Sequence, residues 1–331
     1  MKPLRIIISV NGNTKIGFGH VYRIINLVRV LKKYKNNITF LTMTPMARKI
    51  LSKYSKCLLL KNNSYLQAKK IIQQLNPDVI VIDKHNESSQ LLKIFHKNCK
   101  NIIAIDYTGK NKHLVKVGIN ILYPISGTRT KNSFSNLRYS ILNKSFINTK
   151  PIMVKKKVNS IIVLQGGSDD HCFTPKIINS LNLLEEKFKV SVIIGPAFNC
   201  WSRLNQALQK NKKRLKILNS VNNMSLVMAK HDMAISGGGM TLLELCRLGV
   251  PSIVVCTSKL ENETGNLLQK KGFGVNLGFD TNLSKNKIAV ATKQLLLNYS
   301  KRKRMNLLGK KIIDGLGTER VALLVTKLGV N

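Results

Sequence analysis

Carboxylates are scarce in this chain. Of 331 residues only 15 are Asp or Glu, against 55 Lys and Arg, which leaves a formal charge of +40. With only six histidines besides, the groups able to act as acids or bases form a short list, and a buried carboxylate is more informative than usual. Long apolar runs are missing too: none approaches the ~18 residues of a membrane span. Met1-Lys2-Pro3 leads straight into a strand-like segment instead of a signal peptide. The six cysteines show no paired C-x-x-C spacing, and Cys246 and Cys256 lie inside apolar runs. The expectation is therefore reduced core cysteines, with neither disulfides nor a zinc site, in a cytoplasmic protein. No zinc-finger, RRM or KH signature occurs, and the lysines are spread along the chain, which argues against a specific nucleic-acid partner. Lys155-Lys156-Lys157 reads as a linker and Lys301-Arg302-Lys303-Arg304 as an exposed helix face. The positive excess reads as a Lys- and Asn-rich bias, with weak association with an anionic membrane surface as the second reading.

What is present is a long alternation of strands and helices. A hydrophobic content of 44% without low-complexity tracts supports a folded, well-buried protein of two ordinary domains. Leu4 to Val10 is a run of apolar, largely β-branched residues, as in a buried parallel strand. The polar loop NGNTKIGFGH follows, holding Gly12, Gly17 and Gly19, and from His20 the apolar period becomes helical through Val21, Ile24, Ile25, Val28 and Leu31. Strands over 38–41, 57–60, 79–83 and 102–105 alternate with helices over 45–52 and 65–75. Two of the strands end on aspartates, Asp83 and Asp106, with Lys84 and His85 directly after the first. Between Asn120 and Val158 the alternation lapses, which predicts a crossover between domains. Ser160 to Leu164 then opens a second series, ending in Gln165-Gly166-Gly167-Ser168-Asp169-Asp170. The fold class expected is α/β, with two Rossmann-like domains facing a cleft, residues 1–150 and 151–331.

The densest stretch is Asp232 to Cys256, DMAISGGGMTLLELCRLGVPSIVVC. It reads as a strand ending at Ser236, a turn of Gly237, Gly238 and Gly239, a helix from Met240 to Leu248, a stop at Gly249 and Pro251, and another strand. Glycines ahead of a helix leave its first N–H groups bare at the positive end of the dipole, a seat for phosphate. Thr241 adds a hydroxyl donor, and Glu244, one turn on, suits a ribose better than a phosphate. The competing reading is a glycine turn that merely lets the helix pack closely on its sheet. The pattern is neither G-x-G-x-x-G nor a P-loop, since no Lys-Ser/Thr follows. His20 sits at a helix N-terminus on the strand edge where open α/β sheets bind ligands, a place that favours the neutral, proton-accepting imidazole. Its alternative role is that of a loop histidine capping the helix.

Four blocks in order, IGFGHVYR (Ile16 to Arg23), LQGGSDD (Leu164 to Asp170), Asn222 to Ile253, and IIDGLGTERV (Ile312 to Val321), give the chain a resemblance across nearly its whole length. It resembles the UDP-sugar hydrolases of pseudaminic acid biosynthesis, relatives of the MurG-like glycosyltransferases with the GT-B fold. The resemblance implies a UDP-linked deoxy-diacetamido sugar as substrate, with the diphosphate on the Gly237 to Thr241 turn (Gly237, Gly238, Gly239, Met240, Thr241), Ser236 beside it among the substrate-binding residues, and the ribose on Glu244. It implies His20 as the base activating water at the anomeric carbon, inversion there, and no metal or cofactor. It also puts Gly17, Gly19, His85, Gly166, Gly167, Asn262 and Glu263 around the substrate. An activated nucleotide leaving group needs no general acid, so one base and a charge-stabilising pocket suffice. The chain departs from the family's pattern at Asp83-Lys84-His85 (Asp-x-Tyr in the family), at NGNTK, at Asp106-Tyr107 and at Asn262-Glu263 (Asn-Gln in the family). These changes gather around the sugar. Two other functions compete: a glycosyltransferase of the same fold, passing the sugar to an acceptor, and a non-catalytic binder of nucleotide-sugar or nucleic acid. The oligomeric state has no signature in the sequence.

Overall fold

The computed structural model describes all residues except 1, 2, 14, 15, 62, 63, 129, 131, 212, 213, 220 and 331. The chain divides into two compact units, Met1–Asn143 together with Gly315–Asn331, and Lys144–Asp314. Part of the NGNTK loop, Thr14 and Lys15, lies outside the described residues.

The first unit is built on β1 (Arg5–Val10), β2 (Asn37–Thr42), β3 (Lys56–Leu59), β4 (Val79–Asp83), β5 (Ile102–Ile105), β6 (Val117–Ile119) and β7 (Ser133–Phe134). They form one parallel sheet in the order β3-β2-β1-β4-β5-β6-β7. Helices cover both faces, which is why its strands read as unbroken apolar runs: Ile6, Ile7, Ile8, Val79, Ile80, Val81 and Ile82 are all buried. Phe95, Leu92 and Tyr107 pack with Ile80 and Ile102 on one of those faces.

The second unit repeats the design with β8 (Ser160–Leu164), β9 (Lys189–Ile194), β10 (Arg214–Asn219), β11 (Met233–Ser236), β12 (Ser252–Val254) and β13 (Val275–Asn276). Its parallel order is β10-β9-β8-β11-β12-β13. Each unit is thus a Rossmann-like α/β layer structure. In each, the strand order reverses beside the first strand, between β1 and β4 and between β8 and β11. The carboxyl ends of the strands at such a reversal form the crevice in which open α/β sheets take ligands.

Three local outcomes differ from what the sequence pattern predicts. First, Gly315–Asn331 joins the first unit and not the second half of the chain. Its helix Gly317–Val330 buries Val321, Ala322 and Val325, and Thr318 Oγ1 donates to the Leu142 carbonyl at 3.1 Å. Gly329 lies so close to Leu4 and Val79 that a Cβ there would stand 2.7 Å from Leu4. Second, Arg302 is no exposed residue: it is wholly buried, on the same face of helix Tyr299–Ile312 as Met305, Asn306 and Gly309. Its guanidinium donates to the carbonyls of Leu295 (2.8 Å), Leu296, Lys155 (3.1 Å) and Lys156 (2.7 Å), so it closes one helix and anchors the start of the unit. The run of four cations hid an i, i+3, i+4, i+7 stripe. Third, Cys172 and Cys200 form a disulfide, their Cα atoms 5.7 Å apart, while Cys57, Cys99, Cys246 and Cys256 are free and buried. The two bonded cysteines directly precede the helices that start after the neighbouring strands β8 and β9. A separation of 28 residues carries no sign of that adjacency. Among the described residues no helix is long and apolar enough to cross a membrane.

Candidate functional site

In the first unit, β1 and β4 pair in register so that Val10 stands opposite Asp83, and β4 and β5 so that Asp83 stands opposite Ile105. Asp83 and Asp106 therefore end up side by side at the ligand edge. The helix Gly19–Leu31 begins above them without a side-chain cap at its N-terminus, and His20 and Arg23, three residues apart, share the face turned to the aspartates.

Arg23 is fully buried and acts as the clamp. Its Nε donates to Asp83 Oδ2 at 2.9 Å, its Nη2 to Asp83 Oδ1 at 2.5 Å, and its Nη1 to Asp106 Oδ2. Asp106 also accepts the backbone N–H groups of Ile121 at 2.6 Å and Leu122 at 2.8 Å. Burial alone would raise the Asp83 carboxyl, but the Arg23 guanidinium and His20 outweigh it and hold its pKa at about 2. Burial likewise works against the Arg23 charge, and the two aspartates overcome it, pushing its pKa up.

His20 Nδ1 lies 2.6 Å from Asp83 Oδ1, and its Nε2 lies 3.1 Å from Nε2 of His85. An ionised Asp83 can only accept, so Nδ1 of His20 carries the proton and Nε2 keeps its lone pair. His85 then donates from Nε2, which leaves its Nδ1 bare; that atom is buried and without a hydrogen-bond partner. Burial, then the nearby His20 and Arg23, pull the His85 pKa down to about 4, so it stays neutral at neutral pH. The result is a base oriented by a carboxylate, the geometry that lets imidazole take a proton from a hydroxyl. Gly17 (φ 75°) turns the preceding loop, and Gly19 has open space around its Cα.

In the second unit, β11 pairs with β8 so that Ser236 stands opposite Leu164. Gly237 and Gln165 follow these residues at the reversal point. Gly237 N–H donates to the Leu164 carbonyl at 3.2 Å, and the Ser236 hydroxyl donates to the Gly237 carbonyl at 3.0 Å. Gly239 precedes the helix Met240–Leu248, whose N-terminus has no side-chain cap. At the other end Gly249 adopts φ 67°, and the N–H groups of Gly249 and Val250 return to the Cys246 and Leu245 carbonyls, both at 3.0 Å. Met240 and Thr241 are partly exposed on the first turn, with Glu244 half-buried one turn along.

Burial pushes the Glu244 carboxyl from its ordinary 4.5 up to about 8. Across that window the folded protein holds a proton that the unfolded chain has released, so stability falls as pH rises through it. Glu244→Gln is expected to remove that dependence. Thermal melts should show the variant gaining on the parent between pH 5 and pH 8.5, with the difference vanishing below pH 4.5.

Gly166 (φ 75°) and Gly167 leave open space above β8, and Gly195 packs so closely that its Cβ would stand 2.4 Å from the carbonyl oxygens of both. Asp169 accepts the N–H groups of Phe173 and Thr174, both at 2.8 Å, and so caps the next helix. Asn262 lies on helix Lys259–Lys270, where its Oδ1 accepts from Asn276 at 2.7 Å, with Glu263 beside it. The sequence pattern points to the glycines and Glu244 but carries no sign of Gln165 and Glu261, whose Oε1 and carboxylate lie against the glycine turn. In the first unit the pattern singles out His20 and both aspartates, but not Arg23 as their link. The spacing of Arg23 three residues after His20 was the available signal.

Similarity to known proteins follows the same division. The family model for the Glycosyltransferase family 28 C-terminal domain matches residues 161–311. The crystal structure of MurG from Acinetobacter baumannii superposes with a TM-score of 0.73 over 97% of this chain and 99% of that one, at 12% identity. The fold is that of the MurG-like, GT-B glycosyltransferases. SpsG of Bacillus subtilis, a spore coat polysaccharide biosynthesis protein, is 22% identical over 97% of both chains. The uncharacterized protein MJ1062 of Methanocaldococcus jannaschii is 28% identical over 78% of this chain. The match spans 57% of that longer protein. The matched domain is thus named for glycosyl transfer, where the motif resemblance in the sequence put hydrolysis first.

Proposed function

We propose that this chain transfers a sugar from a uridine diphosphate sugar to an oxygen nucleophile, with His20 as the general base. The observation that carries the reading is the His20–Asp83 contact of 2.6 Å, fixed by the buried Arg23 at the ligand edge of the first sheet. The incoming hydroxyl displaces the His85 N–H from His20 Nε2, which takes the hydroxyl proton as its oxygen bonds to the anomeric carbon and the bond to the diphosphate breaks. The electron pair leaves on UDP, whose charge meets the uncapped helix N-terminus at the end of the Gly237 to Thr241 turn. Glu244 binds the ribose, and Gly17, Gly19, His85, Gly166, Gly167, Asn262 and Glu263 line the substrate. The family 28 match over residues 161–311 supports an alcohol acceptor. Water as nucleophile, and with it a UDP-diacetamido-trideoxyhexose hydrolase, is the second reading, favoured by the IGFGHVYR block that carries both His20 and Arg23.

The test incubates the protein with UDP-N-acetylglucosamine and with a UDP-diacetamido-trideoxyhexose, each with and without a lipid-linked acceptor, following UDP by NMR. Transfer predicts UDP release only when acceptor is present. Release of UDP and free sugar without acceptor selects hydrolysis, and UDP binding without turnover under any condition rejects both.

A further inference from the structure

The glycine turn of the second unit already holds an anion, and it belongs to the chain. Glu261 sits in the first turn of helix Lys259–Lys270, where Ser258 caps its N–H at 3.1 Å. Its side chain reaches across to the neighbouring strand end. There Oε2 accepts two backbone N–H bonds from two different loops, from Gly238 at 3.1 Å and from Thr257 at 2.8 Å. A Cβ on Gly239 would stand 3.0 Å from Oε1, so the carboxylate fills the hollow that the glycines leave. In a chain with 55 Lys and Arg, this carboxylate makes no ion pair among the described residues and rests on neutral backbone donors instead. Such an arrangement of N–H groups binds oxyanions generally, phosphate included.

A second side chain points to the same place. Gln165 is only 5% exposed, and neither its Oε1 nor its Nε2 has a hydrogen-bond partner. Its Oε1 lies 3.5 Å from where a Cβ on Gly237 would stand. A buried primary amide with nothing to bind is costly, and a ligand oxygen at the turn beside it would satisfy its donor.

We propose that Glu261 occupies the diphosphate seat of the ligand-free protein and gives it up to the phosphate of a nucleoside diphosphate, on which the Gln165 amide then closes. The proposal rests on the nucleotide reading above and adds its control: the seat stays formed without ligand because an internal carboxylate holds it, and nucleotide binding is an exchange of one anion for another. Carboxylate and phosphate cannot share the turn, since two like charges at this distance repel. Affinity for UDP is thereby set below what the bare turn would give.

The experiment measures UDP, inorganic pyrophosphate and uridine binding by calorimetry to the full chain, to Glu261→Gln and to Gln165→Leu. A glutamine side chain keeps the shape of Glu261 but accepts only neutral, weaker hydrogen bonds. Glu261→Gln should therefore bind UDP and pyrophosphate about three- to tenfold tighter, with uridine unchanged. Gln165→Leu should bind UDP more weakly and yet melt at a higher temperature, because it removes an unpaired buried amide. Unchanged or weaker UDP binding by a normally melting Glu261→Gln would make Glu261 a fixed strut and overturn the exchange. Tighter pyrophosphate with unchanged UDP would make the seat one for free anions and overturn the nucleotide part. UDP binding to none of the three proteins would bring down the nucleotide reading as well as this one. Should Glu261→Gln not fold, the unmodified protein still decides. Its Thr257 amide resonance should move when UDP releases the carboxylate, and a Thr257 amide that stays fixed at UDP saturation overturns the exchange.

Discussion

His20→Ala is expected to lower the turnover of a UDP-sugar by about 10²- to 10⁴-fold, the range a positioned general base supplies, while UDP affinity stays within about twofold. The separation of effects follows from the fold. His20, Asp83 and Arg23 all belong to the first unit, whereas the glycine turn, Glu244 and Gln165 belong to the second. Asp83→Asn tests the same chemistry from behind. An amide in place of Asp83 can donate to His20 Nδ1, which would drive the imidazole to the tautomer with its proton on Nε2 and leave no lone pair for the nucleophile. Its turnover should fall nearly as far as in His20→Ala, and the double variant should be little worse than either, since the two residues act as one unit. Single-turnover measurements with saturating substrate check this. If His20→Ala keeps full turnover, the base lies elsewhere.

Arg23→Ala should destabilise the first unit by about 3–5 kcal/mol, the usual outcome when one partner of a buried charge network is removed. The loss comes less from the attraction given up than from what is left behind: Asp83 and Asp106, both without any exposed surface, would face each other with no cation between them. Arg23→Lys should recover little, because a single ammonium cannot supply the three separate N–H contacts that the guanidinium makes. The sign with pH is testable as well. In the parent, Asp83 ionises at about 2, below its ordinary 3.8, so its contribution to stability is present above pH 3.8 and disappears as pH falls towards 2. Without Arg23 the Asp83 carboxyl ionises less readily, and the gap between variant and parent should narrow on acidification. Trp201, the single tryptophan, lies in the second unit. Urea melts followed by its fluorescence should therefore shift less than melts followed by far-UV circular dichroism.

Much of this was legible from pattern. The strands of a sheet covered on both faces carry few polar positions, so β1, β4 and β8 stand out as apolar runs, and the period change at His20 marks a helix start. The glycine turn before Met240 and the stop at Gly249 are backbone requirements, and backbone requirements show in sequence. What stayed hidden depends on neighbours distant in the chain. Cys172 and Cys200 meet because β8 and β9 pair. Glu261 looks like an ordinary acidic residue in the first turn of a helix until the loop after β11 is folded beside it. Arg302 hides among surface cations, since charge alone does not say which way a helix face turns. The choice between an alcohol and water as nucleophile is harder to read still, because both ask the same base for the same proton.

The return of helix Gly317–Val330 to the first unit makes the second unit an insertion within it. During synthesis, everything from Lys144 to Asp314 leaves the ribosome before the segment that covers β4 and the helix carrying His20. The second unit therefore has all of its own chain available while the first still waits for its last helix, and the half of the protein begun first is the half completed last. A release or pause just before Gly317 would leave an intact glycine turn in one unit and, in the other, an apolar face around Leu4 and Val79 open to solvent and to other unfinished chains.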